Sequence, residues 1–316
     1  MKLLSSLRAA SLVALAAHSA HAADASPYNQ SDVPLEMNSP DAKRTKIIIL
    51  TGGPSGKPMA HEYFAGCALL MDWLKQQPGV WPVMARGWPV NEQLFEGAKS
   101  IVYYGDGGGK QPFLDEKRWA TLSRLMESGA GLVLLHQAMD IPKGAQGEKF
   151  KAWCGGVFYN DIGARGHWDM EFKHIAAHPV TRGVKPFSAP ADGWLYNLHY
   201  APKGVTPLLI GQVPDTSRTT TDAKRHRGRD EVIAWAYERS NDGRGFGFTG
   251  ADLHKSWGYE SQQKLVLNGI LWSAHLPVPS DGAKISFSPA ALAQHLDDKR
   301  PTAAAAAAAA KGARKK

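Results

Sequence analysis

The sequence predicts an α/β fold: a doubly wound, mainly parallel sheet with an antiparallel extension in its second half. Two observations predict the parallel part. Ser100 to Asp140 reads as strand, glycine-rich turn, amphipathic helix and strand, and Lys46-Ile-Ile-Ile-Leu50 runs into a second glycine-rich turn, Thr51-Gly52-Gly53-Pro54-Ser55-Gly56. The short apolar runs Ile101–Tyr104 and Leu132–Leu135 are what strands covered on both faces look like. A third observation predicts the extension: from Asp169 onward strand-like segments follow one another with no helical stretch between them.

Each element can be justified in turn. Asp24 to Arg44 is polar with scattered prolines and reads as an extended lead-in, residues 23–45. After the first strand, Phe64, Cys67, Ala68, Met71 and Leu74 follow helical spacing, and Val80–Met84 reads as a short second strand. Ser100–Tyr104 is the third strand. Trp119, Leu122, Leu125 and Met126 then form one apolar helix stripe, which Gly129-Ala130-Gly131 ends before the fourth strand, Gly131–Leu135. A βαβ unit of this kind has a right-handed crossover and places chemistry at the carboxyl ends of its strands. Asp106 and His136 stand at those ends. Beyond them, Glu148–Cys154 reads as a short helix. Asp169–Ile175, Leu195–Tyr200, Pro207–Ile210, Val232–Tyr237 and Arg244–Thr249 read as strands, and Ser261–Ala274 as a closing helix. The α/β domain is expected over residues 46–280. Residues 281–316, with Ala303–Ala310 and a basic end, read as a disordered tail.

Lys2 and Arg8, the apolar stretch Ala9–Ala17 and Ala20-His21-Ala22 have the layout of a signal peptide, residues 1–22, cleaved after Ala22. The expected location is therefore periplasmic or secreted. That apolar stretch is too short to span a membrane, and the chain holds no longer one. The net charge of +8 divides into +2 in the leader, +4 from Asp281 onward and +2 in the core, so it does not mark a nucleic-acid surface. The local basic run Lys224–Arg229 reads as a solvated loop. Only Cys67 and Cys154 are present, far apart, which is neither a disulfide framework nor a zinc site.

Several pieces in order resemble one family. They are Ile48–Gly53, Tyr104-Gly105-Asp106-Gly107-Gly108-Gly109, Gly129–Ala138, His178-Pro179-Val180-Thr181-Arg182-Gly183, Gly243–Gly250 and Leu267–Trp272. Together they resemble the ThuA-like (trehalose utilisation) family over roughly Lys46 to Pro279. That resemblance implies a flavodoxin-like, class I glutamine amidotransferase-like fold and work on sugars or glycosides, without fixing a reaction. The exported form with a triple-glycine turn looks like proteins common in bacterial carbohydrate-degrading gene sets. One departure comes from the residues themselves. Amidotransfer needs a cysteine thiolate at the turn after a central strand. Here that turn carries His136-Gln137-Ala138, so an amidotransferase is not expected.

The candidate catalytic residues are His136, Asp106, Asp252 and His254. Asp106 lies among glycines that let backbone approach a ligand, with Gly107 and Gly108 expected to contact it. It orients sugar hydroxyls, binds a metal or acts as a base, unless it only forms the turn. An imidazole titrates at ~6.5 in isolation, which makes a histidine such as His136 suited to proton transfer or metal ligation; a histidine merely satisfied at the edge of the core is the alternative. His167 and Asp169 are two apart on an expected strand and so share a face; Asp252 and His254 are two apart after Gly250. Gln137, His167, Trp168, Asp169, Trp194, His199 and Trp257 complete the expected substrate-binding set, the tryptophans as stacking platforms for sugar C–H faces unless they are core. His61 and Glu62 either cap the helix after the first glycine turn or line the same crevice. No cofactor is required by the pattern. A divalent metal, if used, would draw on His136, His167, Asp169, His199 and His254.

These residues predict an exported protein of carbohydrate metabolism acting on a sugar or keto-glycoside by acid/base isomerisation, elimination or hydrolysis. The alternative is a non-catalytic glycan-binding or assembly protein of the same fold. What separates the two is whether ionisable groups converge within hydrogen-bond reach. The expected partner is a carbohydrate small molecule, with homo-oligomerisation open and neither nucleic acid nor a membrane span expected.

Overall fold

A computed structural model describes residues 26–300, so the leader and residues 301–316 lie outside the described chain. Residues 26–44 run as turns and extended chain. The first half then alternates: β1 (Thr45–Thr51), α1 (Tyr63–Lys75), β2 (Val80–Arg86), β3 (Ala98–Tyr104), α2 (Glu116–Glu127), β4 (Gly131–Leu135) and α3 (Ala145–Cys154). The second half holds β5 (Gly156–Val157), β6 (Ala164–Phe172), β7 (Phe187–Tyr196), β8 (His199–Tyr200), β9 (Val205–Gly211), α4 (Thr221–Arg225), β10 (Glu231–Glu238), β11 (Arg244–Phe248) and α5 (Glu260–Ser273).

One seven-stranded sheet, in the order β2-β1-β3-β4-β11-β10-β9, forms the centre. Its pairings from β2 to β11 are parallel; β10 runs antiparallel to both β11 and β9. The strands alternate across the sheet as the period of two requires. Ile47, Ile49, Val102, Tyr104, Val133, Leu135, Phe246 and Phe248 face a core covered by α1 and α5. Ile48, Leu50, Ile101, Tyr103, Leu132 and Leu134 face the opposite core, with Leu122 and Met126 of α2 and Phe150 and Trp153 of α3. Helices on both faces explain why these strands read as unbroken apolar runs. Cys67 and Cys154 are buried free thiols in these two separate cores.

The β3–α2–β4 unit sets the site. Asp115 caps α2 by accepting from the backbone N–H groups of Lys117 and Arg118, both at 3.1 Å. Tyr104 pairs with Leu135 in register, so the next residues of both strands leave the sheet at one edge. Beside them, Gly105 packs on the Cα of Gly52 in the turn after β1. A Cβ on either residue would drive into the other's backbone, so the two turns can touch only as glycines.

Two expectations are corrected. The successive strands of the second half do not all extend the sheet: β6 and β7 pair with each other as a separate antiparallel hairpin, and β5 pairs with β8. The segment 281–300 is not a disordered tail. It packs against α1 and α5 through Ala283 N–H to Asn268 (2.8 Å), Ser286 N–H to Gln76 (2.7 Å) and Asp297 N–H to Glu62 (2.8 Å). Ile285, Phe287 and Leu292 lie half-buried on the core. Irregular backbone is held there by side-chain amides and a carboxylate, a pattern with no hydrophobic period to announce it. The alanine run lies outside the described residues.

Candidate functional site

Four loops meet at the carboxyl edge of the sheet. His136, the first residue after β4, is 2% exposed and adopts the left-handed region at φ 56°. Its Nδ1 lies 2.9 Å from the Thr249 carbonyl, just past β11. A carbonyl only accepts, so Nδ1 carries a proton, and in the neutral ring Nε2 turns into the crevice as a lone pair. His61, between β1 and α1, is also left-handed, at φ 53°, and donates its backbone N–H to the Asp252 carbonyl at 2.8 Å. Ala251 is left-handed as well, at φ 69°. Strained backbone of this kind costs about 1–3 kcal/mol per residue and persists where the surroundings enforce it.

What enforces the third strain is Asp192 of β7. Fully buried, it accepts from the N–H groups of Ala251 (3.1 Å) and Leu253 (2.8 Å), pinning the loop that presents Asp252. Burial pushes the Asp192 carboxyl up from the ordinary carboxylate range, against the pull of the N–H donors. Gly193 lies flat against the Asp252 side chain, where any Cβ would collide.

Asp252 is the hub. Its Oδ1 lies 2.7 Å from His61 Nε2 and 3.2 Å from His136 Nε2, and its Oδ2 lies 2.6 Å from His167 Nε2 on β6. The two Nε2 atoms of His61 and His136 are 3.1 Å apart. Burial alone would raise the Asp252 carboxyl, but the neighbouring imidazoles of His136 and His61 take it well below the usual range.

Asp106 forms the neighbouring wall. Its Oδ1 accepts from Tyr63 Oη (2.8 Å) and Ser55 Oγ (3.0 Å), and its Oδ2 from Lys110 Nζ (2.7 Å). Burial opposes ionisation, yet these three donors hold the carboxyl below its ordinary value. His61 Nδ1 stands 3.6 Å from Asp106 and 3.3 Å from Ser55 Oγ, so His61 links Asp106 to Asp252 and His136. Gly107 backs onto the carbonyls of Gln137 and Asp140, and Gly108, at φ 60°, faces the Asp140 carboxylate. Arg165 of β6 reaches Gln137 Oε1 (2.9 Å) and Asp140 (3.1 Å), tying the hairpin to the turn after β4.

The structure thus brings together His136, Asp106, Asp252 and His167, with Gly107, Gly108 and Gln137 beside them. It separates the others. Asp169 does not share a face with His167, because a bulge between Trp168 and Met170 breaks the alternation. Asp169 instead accepts from Ala191 N–H at 2.7 Å, and with Trp168 it lines a different groove, of about 430 Å³, alongside Pro214 and Arg229. His254 turns inward: a short 3₁₀ helix, His254–Gly258, follows Leu253, leaving the ring fully buried without a hydrogen-bond partner. Burial lowers its pKa to about 4. His199 packs on Tyr159 at 5.6 Å, away from the cluster. Trp194 and Trp257 are buried core residues, not platforms. His61, left open between two roles, joins the crevice, whereas Glu62 turns away to meet Lys299 at 3.1 Å. Tyr63, Ser55 and Asp192 were missed. Tyr63 stands at the start of α1, outside the apolar stripe that the sequence shows, and Asp192 carried no motif.

The family model described as ThuA, trehalose utilisation, matches residues 61–273, from the first crevice histidine to the end of α5. The chain belongs to the ThuA family. Among solved structures, a ThuA-like protein from Bacteroides uniformis aligns with TM-score 0.53 at 19% identity, over 76% of this chain and 95% of that one. A ThuA-like protein from Parabacteroides merdae aligns with TM-score 0.55 at 14% identity, over 80% and 99%. These likenesses establish the shared α/β architecture of this ThuA protein. No curated protein matches the sequence. No helix among the described residues is long and apolar enough to cross a membrane.

Proposed function

We propose that this ThuA protein is an exported enzyme acting on a sugar or keto-glycoside by proton transfer, in an isomerisation, elimination or hydrolysis. The observation that carries the reading is the convergence of three imidazoles on the one Asp252 carboxylate, beside a second ionised carboxylate. Isomerisation or elimination next to a carbonyl needs a base, a group to return the proton and polar atoms to stabilise the developing charge. His167 suits the first role. Its side chain is 64% exposed, and Asp252 accepts its Nε2–H, leaving the other ring nitrogen as the lone pair. Asp252 orients that ring and stabilises its charged form, as a carboxylate does for a catalytic imidazole. Asp106, held ionised by Tyr63, Ser55 and Lys110, accepts hydrogen bonds from sugar hydroxyls.

Thiol chemistry is disfavoured by the residues present. Both cysteines are fully buried, and burial pushes the Cys154 thiol up to about 12. Trp194 and Trp257 are buried in the core and offer no stacking platform to the non-catalytic glycan-binding alternative. Export rests on Lys2, Arg8, Ala9–Ala17 and Ala20-His21-Ala22, which lie outside the described residues.

The test is incubation of the mature protein with a panel of glycosides and their 3-keto derivatives, read by mass spectrometry. Turnover is expected on at least one, falling by ~10²-fold or more in His167→Gln with the fold unchanged by circular dichroism. No turnover anywhere on the panel, or full turnover by the variant, defeats the reading or the role of His167.

A further inference from the structure

The crevice contains an arrangement of atoms that hydrogen bonds between neutral imidazoles do not explain. His136 Nδ1 is committed as a donor to the Thr249 carbonyl, so its Nε2 is a bare acceptor. The hydrogen of Ser55 Oγ goes to Asp106 Oδ1 at 3.0 Å, so that hydroxyl can only accept from His61 Nδ1 at 3.3 Å. The Nδ1 of His61 therefore carries its proton, and its Nε2 is bare as well. With both rings neutral, two imidazole lone pairs and a carboxylate oxygen then face one another at 2.7, 3.1 and 3.2 Å with no hydrogen among them. Three acceptors at such distances repel unless a positive charge, a metal ion or an added proton, lies among them.

We propose that His61 Nε2, His136 Nε2 and Asp252 Oδ1 hold one first-row divalent transition metal ion. The spacing fits. Ligands ~2.0–2.2 Å from an ion lie ~3 Å apart when they occupy adjacent positions around it. Two imidazoles and one carboxylate form a donor set that suits zinc, manganese, iron or cobalt and leaves positions open. The surroundings fit as well. Metal-bound imidazoles characteristically donate their other N–H to a carbonyl or carboxylate. His136 does so to the Thr249 carbonyl, while His61 meets the Ser55 hydroxyl, with the Asp106 carboxylate just beyond at 3.6 Å. The Asp252 oxygen not facing the imidazole pair is held by His167 at 2.6 Å. The strained φ values of His61, His136 and Ala251 all serve to aim these three ligands at one point.

The inference deepens the functional reading and rests on the same site. A divalent ion there would polarise a sugar carbonyl or hydroxyl pair, while His167 and Asp106, outside the ligand set, would handle protons.

The experiment strips the mature full chain with a chelator and adds Zn²⁺, Mn²⁺ or Co²⁺ separately. Binding is measured by equilibrium dialysis with elemental analysis, and Co²⁺ also by its visible absorption. One ion per chain is expected, with a rise in the thermal midpoint. His61→Ala and Asp252→Asn should each weaken binding by more than the ~10–100-fold typical of losing an outer partner, and Asp106→Asn by about that range. His199→Ala should bind as the parent does. Uptake unaffected by both ligand variants, or no uptake of any of the three ions, overturns the proposal and leaves a proton shared between the imidazoles. The outcomes separate the two readings. An ion bound through the triad with no turnover on the sugar panel keeps the metal site and defeats the enzyme. Full turnover by the stripped protein, with no ion bound, does the reverse.

Discussion

The two sides of the crevice are built by different means. On the side of β3 and β4, the site residues stand directly at strand ends: Asp106 two residues past Tyr104, and His136 immediately after Leu135. On the other side, His167 comes from a bulged hairpin and Asp252 from a loop after β11 that a buried carboxylate pins in place. A parallel sheet with short crossovers dictates the first kind of position. Nothing in the period of a strand dictates the second. The comparison teaches that near neighbours on the loop side need not act together. His167 separates from Asp169, Asp252 from His254, and His61 from Glu62.

The comparison is broken most directly by exchanging the two aspartates of the loop side. Asp252 gathers three imidazoles, whereas Asp169 only accepts a backbone N–H from Ala191. Asp252→Asn removes the charge that orients His167 and should lower turnover by ~10²-fold or more. Asp169→Asn keeps the acceptor for Ala191 and should leave turnover unchanged. Steady-state rates on the substrate found by the panel decide it. Equal losses would mean that both carboxylates serve one site and that the bulge does not separate them.

The same contrast shows what was legible in the sequence. The fold was readable because β1, β3 and β4 each hold an unbroken apolar run and α1 and α2 carry apolar residues at helical spacing. Asp106 and His136 were readable because the βαβ rule converts order along the chain into one edge in space. His167 and Asp169 were misread as a converging pair because the rule for i and i+2 holds only on an unbroken strand, and the bulge is invisible in composition. His254 looked like a partner of Asp252, but the 3₁₀ turn after Leu253 buries its ring. Trp194 and Trp257 were placed by proximity in sequence, which does not separate a crevice wall from a core. Asp192 left no trace, since its role exists only once β7 passes behind the Asp252 loop.

A smaller effect sharpens the split between His61 and Glu62. His61 serves the crevice, while Glu62, 1% exposed, accepts from Met59 N–H and Asp297 N–H at 2.8 Å each and pairs with Lys299. That pairing is how the segment 281–300 is fastened across the start of α1. Removing one partner of a buried pair leaves an uncompensated charge. The two N–H donors remain in Lys299→Ala, so the loss should fall at the low end, about 3 kcal/mol. Denaturant unfolding checks it as a lower midpoint at constant slope. Deleting Pro301–Lys316, outside the described residues, should leave that midpoint in place, as composition suggests for an alanine-rich basic end. An unchanged midpoint in Lys299→Ala would mean that the strap is not held by Glu62.

The smallest effect is expected where the sequence placed a site residue and the structure does not. His199 sits on the two-stranded β5–β8 pair, exposed, with its ring against Tyr159. Tyr159 is independently held by Glu148, to which its hydroxyl donates at 2.9 Å. The ring of His199 therefore adds an edge contact to a side chain already fixed, and it has no path to Asp252. His199→Ala should change stability by no more than ~0.5 kcal/mol, as for most surface substitutions. Turnover and its pH profile should match the parent, because no group that moves protons in the crevice touches this ring. A loss of turnover with stability intact would return His199 to the site. It would require the β5–β8 pair to close over the crevice when substrate binds, and the two sides of the edge would then no longer differ in the way described.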